Sequence, residues 1–240
     1  DNVLEVGPGT GILTDGLLSA GGRVTAIEFD SSLISELRDK FASFNNFEVI
    51  QADALKISFL ELARKRNCVF KAVSNLPYNI SGPITAKFIE ERAAFSALTL
   101  MFQKEVARRL TASPGTKEYG ALSVFSQVYA DVKREFDVSR NVFFPKPKVE
   151  STVVSFKFLS GPKVPINDEV IFKKVVRAAF GTRRKTLLNS LKTLGLAREL
   201  IEQALAKTGI DPQRRGETLT LSEFGRLAEE LQKALYNASH

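Results

Sequence analysis

The sequence predicts an α/β fold, a doubly wound parallel sheet followed by a small all-helical domain. In the first two-thirds of the chain, short apolar runs with strand character alternate with segments whose apolar residues recur at helical spacing. This alternation is typical of parallel sheets with helices on both faces. Gly161, Pro162 and Pro165 indicate a linker, and the chain beyond it shows helical periodicity only. We therefore expect two domains, residues 1–160 and 166–240.

The elements of the first domain follow from apolar spacing and from the positions of turn residues. The expected parallel strands are residues 2–6, 23–29, 47–52, 69–74 and 97–102. The expected helices between them are residues 10–20, 31–44, 60–66 and 83–92. The pair Gly21-Gly22 breaks the first helix, and Ser31 is expected to cap the second.

The pattern changes after the fifth strand. Helices are expected at residues 104–111 and 122–130, and strands at 132–138 and 152–159, with a Pro-rich turn (143–149) between the strands. Such a pair could close the sheet with an antiparallel edge. From Glu169 onward the chain is expected to be helical, and Thr220 to Glu223 form a capping box that opens the last helix.

Charge and the scarcity of histidine and cysteine limit the chemistry available. The net charge is +7, and residues 160–240 hold 14 basic against 9 acidic residues. This favours a polyanionic partner, most simply nucleic acid, although a basic surface also serves plain solubility. One cysteine (Cys68) and one histidine (His240) exclude an internal disulfide, a His/Cys zinc site and a Ser-His-Asp triad, so we expect no metal. No apolar run reaches the ~20 residues of a membrane helix.

A glycine-rich loop connects the first strand to the first helix: Glu5-Val-Gly7-Pro-Gly9-Thr-Gly11. Glycines let a ligand approach the backbone, and the following helix N-terminus offers free N–H groups. The dinucleotide fingerprint would require glycine at position 12, where this chain has Ile12. The G-x-G-x-G pattern is typical of S-adenosylmethionine sites, although a tight turn in an unrelated α/β protein has the same pattern. We assign Glu5, Gly7, Gly9 and Gly11 to cofactor binding.

Two acidic residues at strand ends strengthen this assignment. Glu28 ends the second strand, 17 residues after Gly11, where a carboxylate can accept both ribose hydroxyls of an adenosyl group. Asp53, followed by Ala54, ends the third strand and could accept a hydrogen bond from the adenine amino group. Either acid alone could be a surface or capping residue. Because ligands of open α/β sheets bind at the carboxyl ends of strands, we expect these residues to share one cofactor site.

The most specific motif, Asn75-Leu76-Pro77-Tyr78, ends the fourth strand. It follows the [DNS]-P-P-[FYW] pattern of methyltransferases that act on exocyclic amino nitrogens. The lone pair of adenine N6 is delocalised into the ring, which makes N6 a poor nucleophile. The Asn75 side-chain carbonyl and the Leu76 backbone carbonyl could accept both N6 hydrogens and free that lone pair. Pro77 would rigidify the turn, and Tyr78 could stack on the flipped-out base.

Over nearly its whole length the chain resembles the KsgA family of ribosomal RNA adenine dimethyltransferases. The matching stretches, in order, are EVGPGTGILT, NLPYNIS, QKEVARRL, YGALSV, FFPKPKVESTVV and FGTRRKTLLNSL. The resemblance implies a Rossmann-like class I methyltransferase domain and a helical C-terminal domain that engages the ribosomal particle. It also implies transfer of four methyl groups to two adjacent adenines near the 3′ end of small-subunit ribosomal RNA.

Site roles carry over from the resemblance at matching positions. It places Gly7, Glu28, Asp53 and Asn75 at the cofactor, and Asn75, Leu76 and Tyr78 at the target adenine. The other wall of the base pocket comes from the Pro-rich turn, where Phe143 and Phe144 are equally plausible by sequence and the family pattern favours Phe143. The family also has an earlier segment with a Gly-Gln pair that closes over the cofactor. We therefore expect a chain that starts at Asp1 to bind the cofactor weakly or not at all.

Several basic residues are suited to phosphate contacts, which position RNA without reading its sequence. The expected contacts are Arg108, Arg109, Lys146, Lys148, Arg183, Arg184 and Lys185. Any of them could instead be part of a solvated helix end or turn. We expect the partner to be an assembling small ribosomal subunit rather than bare RNA, because one flipped adenine offers too little contact for selection. By the resemblance we expect a monomer, and a bacterial cytoplasm by default.

Three other functions fit the same sequence less well. A large-subunit RNA methyltransferase that confers antibiotic resistance would share the fold and the chemistry, but Leu76 and FGTRRKTLLNSL favour the small-subunit enzyme. A nucleic-acid-binding factor with an idle methyltransferase fold is disfavoured by the intact Glu28, Asp53 and Asn75–Tyr78 set. The basic C-terminal domain argues against a small-molecule methyltransferase.

Overall fold

The chain forms an α/β structure built on one mixed seven-stranded sheet, as expected. The computed structural model describes residues 1–144, 146–182 and 184–238. The strand order is β3-β2-β1-β4-β5-β7-β6. The strands are β1 (Asn2–Val6), β2 (Arg23–Glu28), β3 (Phe47–Gln51), β4 (Phe70–Asn75), β5 (Phe95–Gln103), β6 (Ala130–Val138) and β7 (Ser151–Phe158).

Helices connect the strands and form the C-terminal part of the chain. Those of the first half are α1 (Ile12–Ser19), α2 (Ser31–Lys40), α3 (Phe59–Lys65), α4 (Ser81–Glu90), α5 (Lys104–Leu110) and α6 (Ala121–Tyr129). The rest are α7 (Glu169–Gly181), α8 (Leu187–Leu191), α9 (Arg198–Thr208) and α10 (Leu221–Ala238). In the part of the chain that the structure describes, no helix combines the length and the apolar character needed to cross a membrane.

The topology places the site at the carboxyl ends of two central strands. The strand β1 pairs in parallel with β2 on one side and with β4 on the other. The chain runs outward from β1 to β3 and then crosses back to β4, so strand order reverses between β1 and β4. A crevice forms at such a reversal point, just beyond the strand ends. The glycine loop follows β1 and the Asn75 motif follows β4, so both meet there.

The antiparallel edge is confirmed, and its register is well defined. Strand β7 runs antiparallel to β5, from the pair Ala97 and Lys157 to the pair Gln103 and Ser151. Strand β6 lies outside β7, at the edge of the sheet. The first residue of β7 is therefore next to the carboxyl end of β5, on the same side of the sheet as the crevice.

Helix α2 departs from the sequence prediction at both ends. Asp30, not Ser31, is the N-cap, and its carboxylate accepts from the backbone N–H of Ser32. The helix ends at Lys40, four residues short of the expected end. Beyond it the Phe41 ring is buried and packs against the Phe44 and Phe47 rings. An apolar residue at helical spacing can thus belong to a turn that is buried in the core.

The capping box of the last helix is confirmed. The Glu223 backbone N–H donates to the Thr220 hydroxyl at 3.2 Å, and the Thr220 N–H donates to the Glu223 carboxylate at 2.8 Å. Arg214 pairs with the same carboxylate. These hydrogen bonds satisfy backbone donors that the first helical turn leaves without partners.

The chain divides into two compact units, which do not coincide with the two expected residue ranges. One unit contains Asp1–Ala107 and Asp131–Phe158, and the other Arg108–Ala130 and Leu159–His240. Residues 108–130 therefore group with the helical unit rather than with the sheet. Within that unit, the Tyr119 ring packs edge-on against Phe180. The amphipathic pattern of α6 shows that one face is buried, but it does not show against which partner.

Candidate active site

Two cavities lie side by side at the carboxyl ends of β1 and β4, and both are formed within the sheet unit. The larger measures about 350 Å³ and the smaller about 230 Å³. Pro77 lines both cavities, so the Asn75–Tyr78 turn forms the wall between them. The larger is lined by Val6, Gly7, Ile27, Glu28, Phe29, Ala52, Asp53, Ala54, Leu55, Pro77, Asn79 and Ile80. The smaller is lined by Asn75, Leu76, Pro77, Tyr78, Phe143 and Pro147.

Four of the residues expected at a cofactor come together in the larger cavity: Gly7, Glu28, Asp53 and Ala54. Glu28 is 8% exposed, and its Oε1 accepts from the backbone N–H groups of Phe29 and Asp30. Its Oε2 makes only a long contact of 3.4 Å with the Gly9 nitrogen. The Oε2 atom therefore retains acceptor capacity for a ligand hydroxyl.

One carboxylate oxygen of Asp53 is hydrogen-bonded to the backbone, and the other oxygen is more accessible. Its Oδ1 accepts from the Leu55 backbone N–H at 2.9 Å, which fixes the turn after β3. Its Oδ2 lies 3.7 Å from the ammonium of Lys56, an exposed side chain. The acid thus has a local structural role as well as a place in the cavity wall.

Gly7 is required by close packing between the loop and the Asn75–Tyr78 turn. Its φ of +68° lies in the left-handed region, and a Cβ there would sit 3.2 Å from the Pro77 ring. Two hydrogen bonds fix the start of the loop, from the Val6 N–H to the Ser74 hydroxyl and from the Gly7 N–H to the Ile27 carbonyl. A side chain at position 7 would push the loop and the turn apart.

The structure places four of the expected cofactor residues outside the lining of the larger cavity. Gly9 lies in the loop, where an added Cβ would meet no atom within 4 Å. Gly11 allows helix packing instead, because a Cβ there would lie 2.6 Å from the Phe41 ring. Glu5 is only 1% exposed and accepts a hydrogen bond from the Thr14 hydroxyl at 2.7 Å. Asn75 was expected to contact both the cofactor and the target adenine, and it lines only the smaller of the two cavities.

Burial raises the pKa of Glu5 to about 7, with the Thr14 hydrogen bond opposing the rise and the Glu28 carboxylate adding to it. The unfolded chain releases this proton near the ordinary value of 4.5. Between pH 4.5 and 7 the folded state therefore holds a proton that the unfolded state has lost. Stability due to Glu5 decreases as pH rises through this window, by roughly 3 kcal/mol at most.

We expect Glu5→Gln to remove this pH dependence, because the amide does not titrate. Near pH 5 the free energy of unfolding of the variant should be close to that of wild type, and above pH 7 it should be higher than that of wild type. Urea unfolding at several pH values measures this. Glu36→Gln, at an exposed position of α2, is the matched control and should leave the profile unchanged. An identical pH profile for Glu5→Gln and wild type would contradict the assignment.

The smaller cavity brings together the whole Asn75–Tyr78 motif and one aromatic residue from the Pro-rich turn. Leu76 is buried, whereas the Asn75 side chain is exposed at the end of β4. Phe143 lines the cavity, and Phe144 is fully exposed outside it. The structure thus distinguishes the two phenylalanines in the direction that the family pattern favoured.

The turn after β4 is held by hydrogen bonds from its own residues. The Ile80 N–H donates to the Pro77 carbonyl at 3.1 Å, and the Ser81 hydroxyl donates to the Tyr78 carbonyl at 3.0 Å. The Tyr78 hydroxyl lies 2.7 Å from the Ser151 hydroxyl of β7. The cavity is therefore bordered by a turn with little freedom to rearrange.

Several residues around the cavities were not predicted from the sequence. Phe29, Leu55, Asn79 and Ile80 line the larger one, and each is adjacent or close to a residue that was identified. Their proximity to the motifs was the available signal. Ser74 and Ser151 carried no chemical signal in the sequence, because their importance lies in contacts with distant segments.

The six expected phosphate contacts that the structure describes are all exposed, as phosphate contacts must be. Lys146 and Lys148 belong to the sheet unit, and Arg108, Arg109, Arg184 and Lys185 belong to the helical unit. Arg183 lies outside the described residues. No group of acidic, histidine and cysteine side chains in the described part of the chain could hold a metal ion.

Known proteins resemble this chain in sequence and in structure. A ribosomal RNA small subunit methyltransferase A of Clostridium botulinum (strain Okra / Type B1) is 47% identical over 229 residues, covering 95% of this chain and 83% of that protein. A dimethyladenosine transferase from Plasmodium falciparum superposes with a TM-score of 0.75 at 28% identity, covering 98% and 90% of the two chains.

The structural likeness extends to large-subunit enzymes. The 23S rRNA methyltransferase ErmE superposes with a TM-score of 0.68 at 27% identity, covering 96% of this chain and 91% of the other. These likenesses confirm the Rossmann-like methyltransferase fold. The family model described as ribosomal RNA adenine dimethylase matches residues 1–233. With the glycine loop, the two strand-end acids and the Asn75–Tyr78 turn assembled around adjoining cavities, the chain belongs to the ribosomal RNA adenine dimethylase family.

Proposed function

We propose that this protein transfers methyl groups from S-adenosylmethionine to N6 of two adjacent adenines near the 3′ end of small-subunit ribosomal RNA, giving N6,N6-dimethyladenosines. The observation that carries the proposal is the pair of cavities that share Pro77. One has the acids expected for an adenosyl group, and the other has the Asn75–Tyr78 motif. Relatives named for the small subunit, such as the Clostridium botulinum protein, support the choice of substrate.

The larger cavity fits an adenosyl cofactor through its hydrogen-bond acceptors and its apolar walls. Glu28 would accept hydrogen bonds from the ribose hydroxyls, mainly through Oε2. Asp53 would accept one from the adenine amino group, between apolar walls that include Phe29 and Leu55. Bound S-adenosylmethionine supplies a methyl group activated by its positive sulfonium.

Asn75 and Leu76 would prepare the nucleophile. The Asn75 side-chain carbonyl and the Leu76 backbone carbonyl accept the two N6 hydrogens, which draws the nitrogen toward tetrahedral geometry and frees its lone pair. Because the acceptors are carried at a strand end and on a hydrogen-bonded turn, little reorganisation is needed when the base arrives. Positioning and electrostatics then suffice without a general base, and the proton that the methyl group displaces from N6 passes to solvent water.

Tyr78 and Phe143 would hold the flipped adenine. Both line the smaller cavity, and each offers an aromatic face to a base. Pro77 separates this cavity from the cofactor cavity by a single turn. A base seated between the two rings would thus lie next to the cavity from which the methyl group comes.

The two phenylalanines of the Pro-rich turn give a matched test of this base pocket. We expect Phe143→Ala to lower kcat/KM for the ribosomal substrate roughly 10- to 100-fold, because one stacking face is lost. Phe144→Ala should change it less than about 3-fold, since Phe144 lies outside the cavity. Steady-state methyl transfer by both variants checks this, and equal losses would contradict the placement of the base.

The exposed basic residues would bind RNA phosphates. Lys146 and Lys148 stand beside the base pocket in the sheet unit. Arg108, Arg109, Arg184 and Lys185 would extend RNA binding to the helical unit, and Arg183 would join them. We propose that the substrate is an assembling small subunit in the cytoplasm and that the protein acts as a monomer.

The experiment that tests the function compares substrates. The purified protein is incubated with labelled S-adenosylmethionine and, separately, small subunits lacking the two adenine methylations, large subunits lacking their adenine methylations, and bare small-subunit RNA. Mass spectrometry of the digested RNA then identifies the modified nucleoside and its position. We expect dimethyladenine at two adjacent positions in small subunits only.

The other outcomes identify the competing functions. Methylation of large-subunit RNA would reassign the protein to the class of ErmE, whose fold it shares. Cofactor binding with no transfer to any ribosomal substrate would indicate a nucleic-acid-binding role on a retained methyltransferase fold. Equal modification of bare RNA would remove the assembling particle from the proposal.

A further inference from the structure

Ser151 is a buried residue whose hydroxyl contacts Tyr78, one of the residues that line the base pocket. Its hydroxyl lies 2.7 Å from the Tyr78 hydroxyl, and the residue is 0% exposed. It is the first residue of β7, opposite Gln103 of β5. The two hydroxyls belong to residues 73 positions apart, so this one hydrogen bond ties the antiparallel edge of the sheet to the turn after β4.

The strand around Ser151 is anchored on both sides. The Lys104 backbone N–H donates to the Glu150 carbonyl at 3.0 Å. The Thr152 hydroxyl donates to the Asp137 carboxylate at 2.7 Å. With the register of β5 and β7 also fixed, the Ser151 hydroxyl has a defined position beside the hydroxyl of Tyr78.

Tyr78 needs a fixed hydrogen-bond partner because its backbone turn does not determine the orientation of its ring. The ring rotates about two side-chain torsions, and it is only half-buried at the edge of the smaller cavity. A hydrogen bond at the far end of the ring selects one orientation before a base binds. The side-chain conformational entropy that the ring would lose when it stacks on the base is then already lost in the protein without RNA.

We propose that Ser151 is a positioning residue, whose hydroxyl holds the Tyr78 ring in the orientation that receives the target adenine. Ser151 does not touch the base or the cofactor in this proposal, and it acts only through Tyr78. The inference rests on the proposed function, since it assigns Tyr78 to the target adenine.

A double-mutant cycle tests it. Ser151→Ala and Tyr78→Phe each remove one hydroxyl of the same hydrogen bond, and Tyr78→Phe keeps the stacking ring. We expect each to lower kcat/KM for small subunits about 3- to 10-fold, with the cofactor dissociation constant unchanged. The double variant should be no worse than either single variant, because the second substitution removes a bond already lost.

Ser155→Ala is the matched control. Ser155 lies on the same strand, and its hydroxyl donates to Glu135 at 2.6 Å, away from the base pocket. Its kcat/KM should equal that of wild type, even where thermal stability falls. As a readout without turnover, small subunits whose RNA carries 2-aminopurine at the target position should show less quenching of its fluorescence when bound by Ser151→Ala than by wild type.

Two results overturn the inference. Multiplicative losses in the double variant would show that the hydroxyls act independently. Unchanged kcat/KM in Ser151→Ala, with wild type active, would show that the hydrogen bond is structural only and would leave the proposed function intact. Absence of methyl transfer by wild type would instead overturn the proposed function, and this inference with it.

Discussion

Asn75→Ala should lower kcat for methyl transfer about 100- to 1000-fold, the loss typical of removing one positioned polar group at a reacting centre. The physical reason is that only the Leu76 carbonyl would remain to accept an N6 hydrogen, so the lone pair would stay delocalised in the ring. Because Asn75 lines the smaller cavity and not the larger one, cofactor affinity should stay within about 3-fold of wild type.

The measurement is single-turnover transfer to small subunits, together with calorimetric titration of the cofactor. Asn141→Ala is the matched control, since Asn141 is exposed in the short helical turn Arg140–Val142 that precedes Phe143. Asn75→Asp should retain more activity than Asn75→Ala, because aspartate keeps a side-chain acceptor. Near wild-type turnover of Asn75→Ala would exclude Asn75 as the acceptor for N6.

Glu28→Gln should weaken S-adenosylmethionine binding by about 100-fold or more, because hydrogen bonds to a charged acceptor contribute about 1.5–3 kcal/mol each. If the amide oxygen keeps the hydrogen bonds from the Phe29 and Asp30 N–H groups, the NH2 group takes the place of Oε2 and cannot accept from the ribose hydroxyls. Both effects act on the cofactor cavity. RNA binding without cofactor should therefore change little.

Asp30→Asn provides the matched control for charge. It lies two residues away, is exposed, and caps α2 through its side chain, a role that asparagine also fulfils. Its cofactor dissociation constant should remain within about 3-fold of wild type. If both variants bound the cofactor equally well, Glu28 would not be the ribose acceptor.

The site residues could be predicted from the sequence where the functional groups of a motif lie next to one another in the chain. Asn75, Leu76 and Tyr78 are contiguous, and they line one cavity as the motif indicated. Gly7 and Glu28 each end or follow a parallel strand, so the topology brings them to the same crevice.

Other members of the same motifs are turned away from the cavities. Glu5 is directed into the protein toward Thr14, and Gly11 packs against Phe41. A glycine-rich loop requires glycine both for ligand approach and for helix packing, and the spacing alone does not separate these requirements. Residues 108–130 group with the helical unit, which the sequence did not indicate, because a helical pattern does not identify the surface that it packs against.

The sequence by itself determined the alternating elements, the strand-end acids, the Asn75–Tyr78 motif and the membership of a methyltransferase family. These properties are local, because they depend on periodicity and on residues next to one another in the chain. The resemblance favoured Phe143 over Phe144, and the tertiary structure shows that Phe143 lines the smaller cavity while Phe144 is exposed. Only the tertiary structure decided that Ser151 reaches Tyr78. Those outcomes depend on which distant segments pack together, and periodicity shows that a face is buried without showing what buries it.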